Sequence, residues 1–149
     1  MSESFRIRPA RRGDREGISA LLKELGYADP IDLNILSWVI SHPEMEVFMA
    51  VDPLDRAIGM LSLSHRPQLR LRGRVATIDE LIVTAAWRGK GIGRKLVQAA
   101  VARVKDLTVK RLEVATHLGR EEFKRSFYEK NGFVEVDNSV LRLSEFEKR

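Results

Sequence analysis

Residues 75–107 constrain this chain more than any other stretch. An apolar run of strand density, VATIDELIV at 75–83, passes through Thr84-Ala85-Ala86-Trp87 into a glycine-rich turn, RGKGIG. From Gly91 the period changes: Ile92, Leu96, Ala99, Ala100 and Val104 hold a 3.6-residue stripe, while Arg94, Lys95, Gln98 and Arg103 face away. A strand that hands over to a long amphipathic helix through glycines commits the chain to an α/β arrangement.

The flanking segments extend the pattern. Phe5 and Ile7 alternate with Arg6 and Arg8 before Pro9, which predicts a short first strand. Asp14 is placed to cap a helix with Ile18, Leu21, Leu22 and Leu25 on one face and Gly26 as its stop. Residues 31–41 repeat the helical spacing more weakly and end at Pro43. Residues 47–52 and 57–64 flank the turn Pro53-Leu54-Asp55-Arg56 and read as an antiparallel hairpin, followed by a basic loop at 65–73. After the central helix, 111–117 reads as a strand, 120–131 as a helix stopped by Gly132, and 133–138 with 140–146 as a closing pair of strands. This predicts a mixed α/β fold of about seven strands and four helices. No repeat, low-complexity tract or Pro/Gly/Ser-rich linker interrupts it, so 1–149 is expected to be a single domain.

Composition narrows the function. The chain has no cysteine, which excludes disulfides, thiolate metal sites and a cysteine nucleophile. No stretch approaches the roughly 20 apolar residues of a membrane span, and the N-terminus lacks the apolar core of a secretory signal, so a cytoplasmic protein is expected. The formal charge is +5, from 26 basic and 21 acidic residues, and it asks for an anionic partner. Nucleic acid is not favoured, because no basic stretch interleaves with aromatics on one face.

The turn 88–93 offers a better anion. Amides at a helix N-terminus surround phosphate when no side chain blocks them, and Arg88, Lys90, Arg94 and Lys95 add positive charge at the same end. A tight turn without ligand is the plain alternative. The Walker pattern fails for want of a Gly-Lys-Ser/Thr, and the dinucleotide pattern fails because Lys95 stands where its third glycine belongs. The pattern that fits is Arg-x-x-Gly-x-Gly, at Arg88, Gly91 and Gly93. With the opening IRPARRGD, the helix pair, the hairpin, ELIV, WRGKGIG and FYEKNGF at 127–133, the chain resembles the GCN5-related N-acetyltransferase (GNAT) superfamily over nearly its whole length.

The resemblance implies a mostly antiparallel sheet splayed between its fourth and fifth strands, and acetyl-coenzyme A as cosubstrate. Its pyrophosphate would lie on the amides of Arg88, Gly89, Lys90, Gly91, Ile92 and Gly93, with Arg94 near the adenosine phosphates. Lys95 serves that role or simply a solvated face. The pantetheine arm would pair with the backbone of Leu81, Ile82 and Val83 like an added strand. An amide near Val83 would steady the carbonyl oxygen, and Tyr128 of FYEKNGF would protonate the departing sulfur; a packed core tyrosine is the alternative. The glutamate common in the family, four residues before Leu81, is replaced by Thr77. Asp79 or Glu80 then takes the proton, or the amine arrives neutral. By period two, Thr77, Asp79 and Leu81 share one face and Glu80 the other, unless a bulge shifts the register. Ion pairing with Arg72 or Arg74 is the structural alternative for both carboxylates.

His117 falls where relatives place a polar residue, though a surface role is the simpler reading; His42 and His65 lack partners at ligand spacing, so no metal is expected. Arg66, Arg70, Arg72 and Arg74, with no acid between Arg56 and Ile78, suggest an acceptor that carries an anion besides its amine; a solvated or dimer-edge hairpin is the alternative. The expected function is N-acetylation of a small-molecule amine. Acetylation of a protein N-terminus or lysine, and a noncatalytic coenzyme A-binding module, are the alternatives. Strand pairing over 133–146 would permit a homodimer.

Overall fold

A computed structural model describes residues 4–27, 31–116 and 122–147. The chain divides into two compact units, Met1–Ala115 and Thr116–Arg149.

The first unit is built on one five-stranded sheet: β1 (Arg6–Pro9), β2 (Met45–Val51), β3 (Ala57–Gln68), β4 (Gly73–Val83) and β5 (Val109–Val114), side by side in that order. Three helices complete it: α1 (Arg15–Glu24), α2 (Leu33–Ser41) and α3 (Ile92–Lys105). The first three strand pairs are antiparallel and β4–β5 is parallel, because the connection between those two includes α3, long enough for a crossover. The β2–β3 turn is closed by Asp52, whose carboxylate accepts from the amides of Leu54 and Arg56 at 2.9 and 2.8 Å and from Arg56 Nε at 2.7 Å.

The two faces are covered separately. Ile18, Leu21 and Leu36 of α1 and α2 pack with Val47, Met49, Val51, Met60 and Ile82. On the opposite face α3 buries Ile92, Leu96, Val97, Ala100 and Val104. That agrees with the stripe read from sequence, save that Val97 is buried and Ala99 half-buried.

Four expectations need correction. Residues 65–68 continue β3, so the loop expected at 65–73 is only a 3₁₀ turn (Leu69–Leu71) and Arg72, at φ 52°. Leu25 is 40% exposed, outside the core face of α1. Asp14 does not cap α1 through its side chain. Its carboxylate takes both arms of the Arg8 guanidinium, at 2.7 and 2.8 Å, and the Arg11 amide at 2.8 Å, and a charged fork outcompetes a helix amide. The sheet has five strands rather than about seven.

The missing two belong to the second unit, which holds α4 (Glu122–Lys130) and then a segment without strands that ends in a 3₁₀ turn, Ser144–Glu147. Val134, Val140 and Leu141 are 83%, 77% and 93% exposed. Val134 with Val136 and Leu141 with Leu143 have the period of a strand, but a strand needs an edge to pair with, and none is paired among the described residues.

Asp14→Ala is expected to cost about 2–3 kcal/mol, since it strips two charge-assisted bonds from a nearly buried guanidinium. Burial pushes the Asp14 carboxyl up, but the Arg8 and Arg11 bonds outweigh it and leave it below its ordinary value. Its contribution is therefore present above about pH 4 and is lost as pH falls through the lowered native value. Urea unfolding of both proteins at neutral and acid pH checks this: the gap should narrow in acid.

Candidate active site

The site grows from the open end of β4. Pairing with β5 stops at Ile78↔Val114, so residues 79–83 have no strand neighbour on that side among the described residues. Here β4 runs on to Val83 while β5 ends at Val114. Beyond Val83, the turn Ala85–Trp87 is held by Glu24 at the end of α1: Thr84 Oγ1 donates to Glu24 Oε1 at 2.7 Å and the Ala85 amide to Oε2 at 3.0 Å. Arg88 Nε donates to the Val83 carbonyl at 3.0 Å, and its guanidinium lies 3.7 Å from Glu24 Oε2. Glu24 escapes a sequence reading because it lies 60 residues from Thr84.

Gly89 and Gly91 take φ of 77° and 84°, where side chains are strained, and a Cβ on either would meet no atom of the described residues within 4 Å. Gly91 precedes α3, and the first intrahelical bond runs from the Lys95 amide to the Gly91 carbonyl at 3.1 Å. The amides from Gly91 to Arg94 thus lie ahead of the helix ladder. Arg88, Lys90, Arg94 and Lys95 gather at this end of the helix, and no acid occurs between Thr84 and Lys105. An open glycine cradle, helix amides ahead of the ladder and clustered cations are what a pyrophosphate requires.

The candidate carboxylates lie within β4 itself. The ladder runs Ser64↔Thr77, Leu63↔Ile78, then Ser62↔Glu80, so Asp79 is a bulge. The bulge puts Thr77, Glu80 and Ile82 on one face, the face covered by α1 and α2, whereas plain alternation would separate Glu80 from Thr77. Ser62 Oγ bonds the Glu80 carboxylate and accepts from the Glu80 amide at 3.2 Å. Burial pushes the Glu80 carboxyl up, the Ser62 bond pulls it back, and the Asp79 charge raises it further. Asp79 is likewise raised by partial desolvation, against a hydrogen bond from Ser64. Neither carboxylate has a cationic partner among the described residues, which removes the ion-pair alternative with Arg72 or Arg74. Ser62 and Ser64 went unmarked in sequence, since only the register sets them opposite this stretch of β4.

Other candidates lie elsewhere. His65 is buried with Nε2 3.3 Å from Glu46 Oε2 and Nδ1 3.3 Å from Arg74, and Arg103 Nε reaches Glu46 at 2.6 Å. So His65 has an acidic partner after all, one strand over. No group of three metal-ligating side chains occurs among the described residues. Arg66, Arg70, Arg72 and Arg74 gather at the paired end of β4, beside a cavity of about 380 Å³ lined by Gln68, Arg72, Arg74 and Thr108. Nine residues of strand, about 30 Å, separate Arg74 from Val83, so this patch does not adjoin the glycine turn. Tyr128, in the second unit, is buried edge-on to Phe127 and Phe133, with ring centroids 5.2 and 5.4 Å away. His117 lies outside the described residues. No described helix is long and apolar enough to cross a membrane.

Comparison with known proteins agrees with this geometry. Residues 16–133 match the model of the acetyltransferase (GNAT) family. The chain is 30% identical over 110 residues to glucosamine 6-phosphate N-acetyltransferase 1 of Oryza sativa subsp. japonica, an alignment covering 66% of this chain and 65% of that one, just under two thirds of the rice protein's length. The solved glucosamine-6-phosphate N-acetyltransferase of Arabidopsis thaliana is similar in fold, at TM-score 0.79 and 20% identity over 95% of this chain and 99% of that one. The aminoglycoside antibiotic 6'-N-acetyltransferase AAC(6')-Ih of Acinetobacter baumannii is similar too, at TM-score 0.79 and 22% identity over 94% and 97%. A β4 that outruns β5, a bulge that turns Glu80 inward and a glycine cradle opening α3 therefore sit within a family match covering most of the chain: it belongs to the GNAT acetyltransferases.

Proposed function

We propose that residues 1–149 act as one acetyltransferase domain, moving an acetyl group from acetyl-coenzyme A to a primary amine of a small molecule by direct attack. The observation that carries this reading is the bulge at Asp79, which sets two raised carboxylates on the open half of the strand that leads into the glycine cradle.

Acetyl-coenzyme A, the cosubstrate of GNAT enzymes, supplies the activated thioester when bound. The amides of Arg88, Gly89, Lys90, Gly91, Ile92 and Gly93 receive its pyrophosphate, and Arg94 adds charge beside them. The backbone edge of Leu81, Ile82 and Val83, without a strand neighbour on the β5 side among the described residues, takes the amide-bearing arm as an added strand. Glu80, with Asp79 beside it, draws in an ammonium and accepts its proton, leaving the nitrogen lone pair free. The N–C bond then forms, the C–S bond breaks, the Tyr128 phenol gives its proton to the sulfur, and the second proton of the nitrogen returns to the phenolate, leaving a neutral amide and a free thiol. The Tyr128 assignment is supported by FYEKNGF and the carboxylate assignment by the bulge.

Small acceptors are favoured by the names of the rice, Arabidopsis and Acinetobacter relatives. Mixing the protein with acetyl-coenzyme A and a panel of amino sugars, amino sugar phosphates, amino acids, aminoglycosides and lysine peptides, read as free thiol, tests the reading. Thiol release with at least one small amine supports it; release with peptides alone, or with none, overturns it. Tyr128→Phe should lower kcat about 10²-fold with KM for acetyl-coenzyme A unchanged. Full turnover in that variant would remove Tyr128 from the acid role.

A further inference from the structure

We infer that Ser62 is a positioning residue that aims the Glu80 carboxylate and sets how readily it holds a proton; the inference rests on the reading of Glu80 as the base. Ser62 is 2% exposed in the middle of β3 and stands directly opposite Glu80 in the ladder. Its hydroxyl accepts the Glu80 amide at 3.2 Å. A hydroxyl has one proton to give, and with the amide seated on a lone pair that proton goes to Glu80 Oε1.

The two contacts work together. A glutamate has three rotatable side-chain bonds, and one residue that grips both its amide and its carboxylate leaves little choice among them. A buried serine hydroxyl on an otherwise apolar strand also costs free energy unless both its roles are satisfied, and here a single residue satisfies both. Burial and the charge of Asp79 favour the protonated carboxyl, while the Ser62 bond favours the ionised one. Asp79 is the only charged group acting on Glu80 among the described residues. Without Ser62 no other contact among those residues opposes protonation, and a protonated Glu80 has no free charge with which to take a proton from the acceptor.

The test uses the full chain with and without substrates. The Glu80 carboxyl is titrated by carbon-13 NMR in ligand-free wild type, Ser62→Ala and Ser62→Thr, and kcat/KM is measured against pH with the best amine. Ser62→Ala should titrate at higher pH than wild type. Its kcat/KM should fall about tenfold on the acidic limb and converge with wild type at the alkaline plateau. Ser62→Thr, which keeps the hydroxyl, should restore both. A merely structural role would lower kcat/KM equally at every pH. Should Ser62→Ala fail to fold, Ser62→Cys replaces it, with a smaller shift in the same direction. The inference is overturned if the Glu80 titration is the same in wild type and the hydroxyl-free variant, or if Ser62→Thr is displaced as far as Ser62→Ala. If Glu80→Gln instead keeps the wild-type profile, the base reading falls, while the NMR titration still decides what Ser62 does to Glu80.

Discussion

Glu80→Gln lowers kcat/KM by about 10²- to 10⁴-fold at neutral pH and abolishes the acidic limb of the pH profile, while the protein stays folded. Glutamine has the shape of a protonated glutamate, and the carboxyl is already pushed toward that state by burial, so the core sees little change. Its amide oxygen can still accept the Ser62 hydroxyl. What disappears is the capacity to take a proton, and with it the charge that draws in an ammonium. Asp79→Asn should cost less, about tenfold, because Asp79 is exposed at the bulge and acts on the proton through its charge on Glu80. Wild-type kcat/KM in Glu80→Gln with a large loss in Asp79→Asn would exchange the two roles. Steady-state rates across pH, with circular dichroism to verify folding, decide it.

Gly91→Val should raise the dissociation constant for acetyl-coenzyme A about 100-fold. Two effects combine. At φ 84° any L side chain is strained, by roughly 1–2 kcal/mol, and a β-branched one more. No atom of the described residues lies within 4 Å of the added Cβ, so the branch point itself meets nothing within them. It occupies instead the open space before the α3 amides, where the pyrophosphate is proposed to lie. Losing one or two charge-assisted bonds, each worth about 1.5–3 kcal/mol, corresponds to that hundredfold. Calorimetric titration with coenzyme A measures it, beside a melting curve that should drop by only a few degrees. Unchanged affinity would remove the turn from the cosubstrate site.

How much of this is legible in sequence depends on whether the determining contact is local. The passage from β4 through the glycine turn to α3 is readable, because a change of period and the steric freedom of glycine are properties of consecutive residues. The position of Glu80 is not: a bulge depends on how β3 pairs with β4, and nothing in VATIDELIV announces that Asp79 will be skipped. His65 finds Glu46 on the neighbouring strand, and Glu24 finds Thr84 across 60 residues, by the same non-local route. The C-terminal alternation misleads in the other direction. Val134, Val136 and Val140 have the pattern of strands, but the pattern carries no information about a pairing edge, and the described residues there form none. The arginines at 66–74 were legible as a cluster, though their distance from the glycine turn required the register of the hairpin.

Direct transfer on a cysteine-free chain is the claim on which everything else depends, and initial rates measured against both substrates test it most directly. Acetyl-coenzyme A and the best amine of the panel are varied together, and double-reciprocal lines are drawn at each fixed amine concentration. Intersecting lines are predicted, because both substrates must be bound before the acetyl group moves. Parallel lines, the signature of an acetylated enzyme formed before the amine arrives, would contradict it.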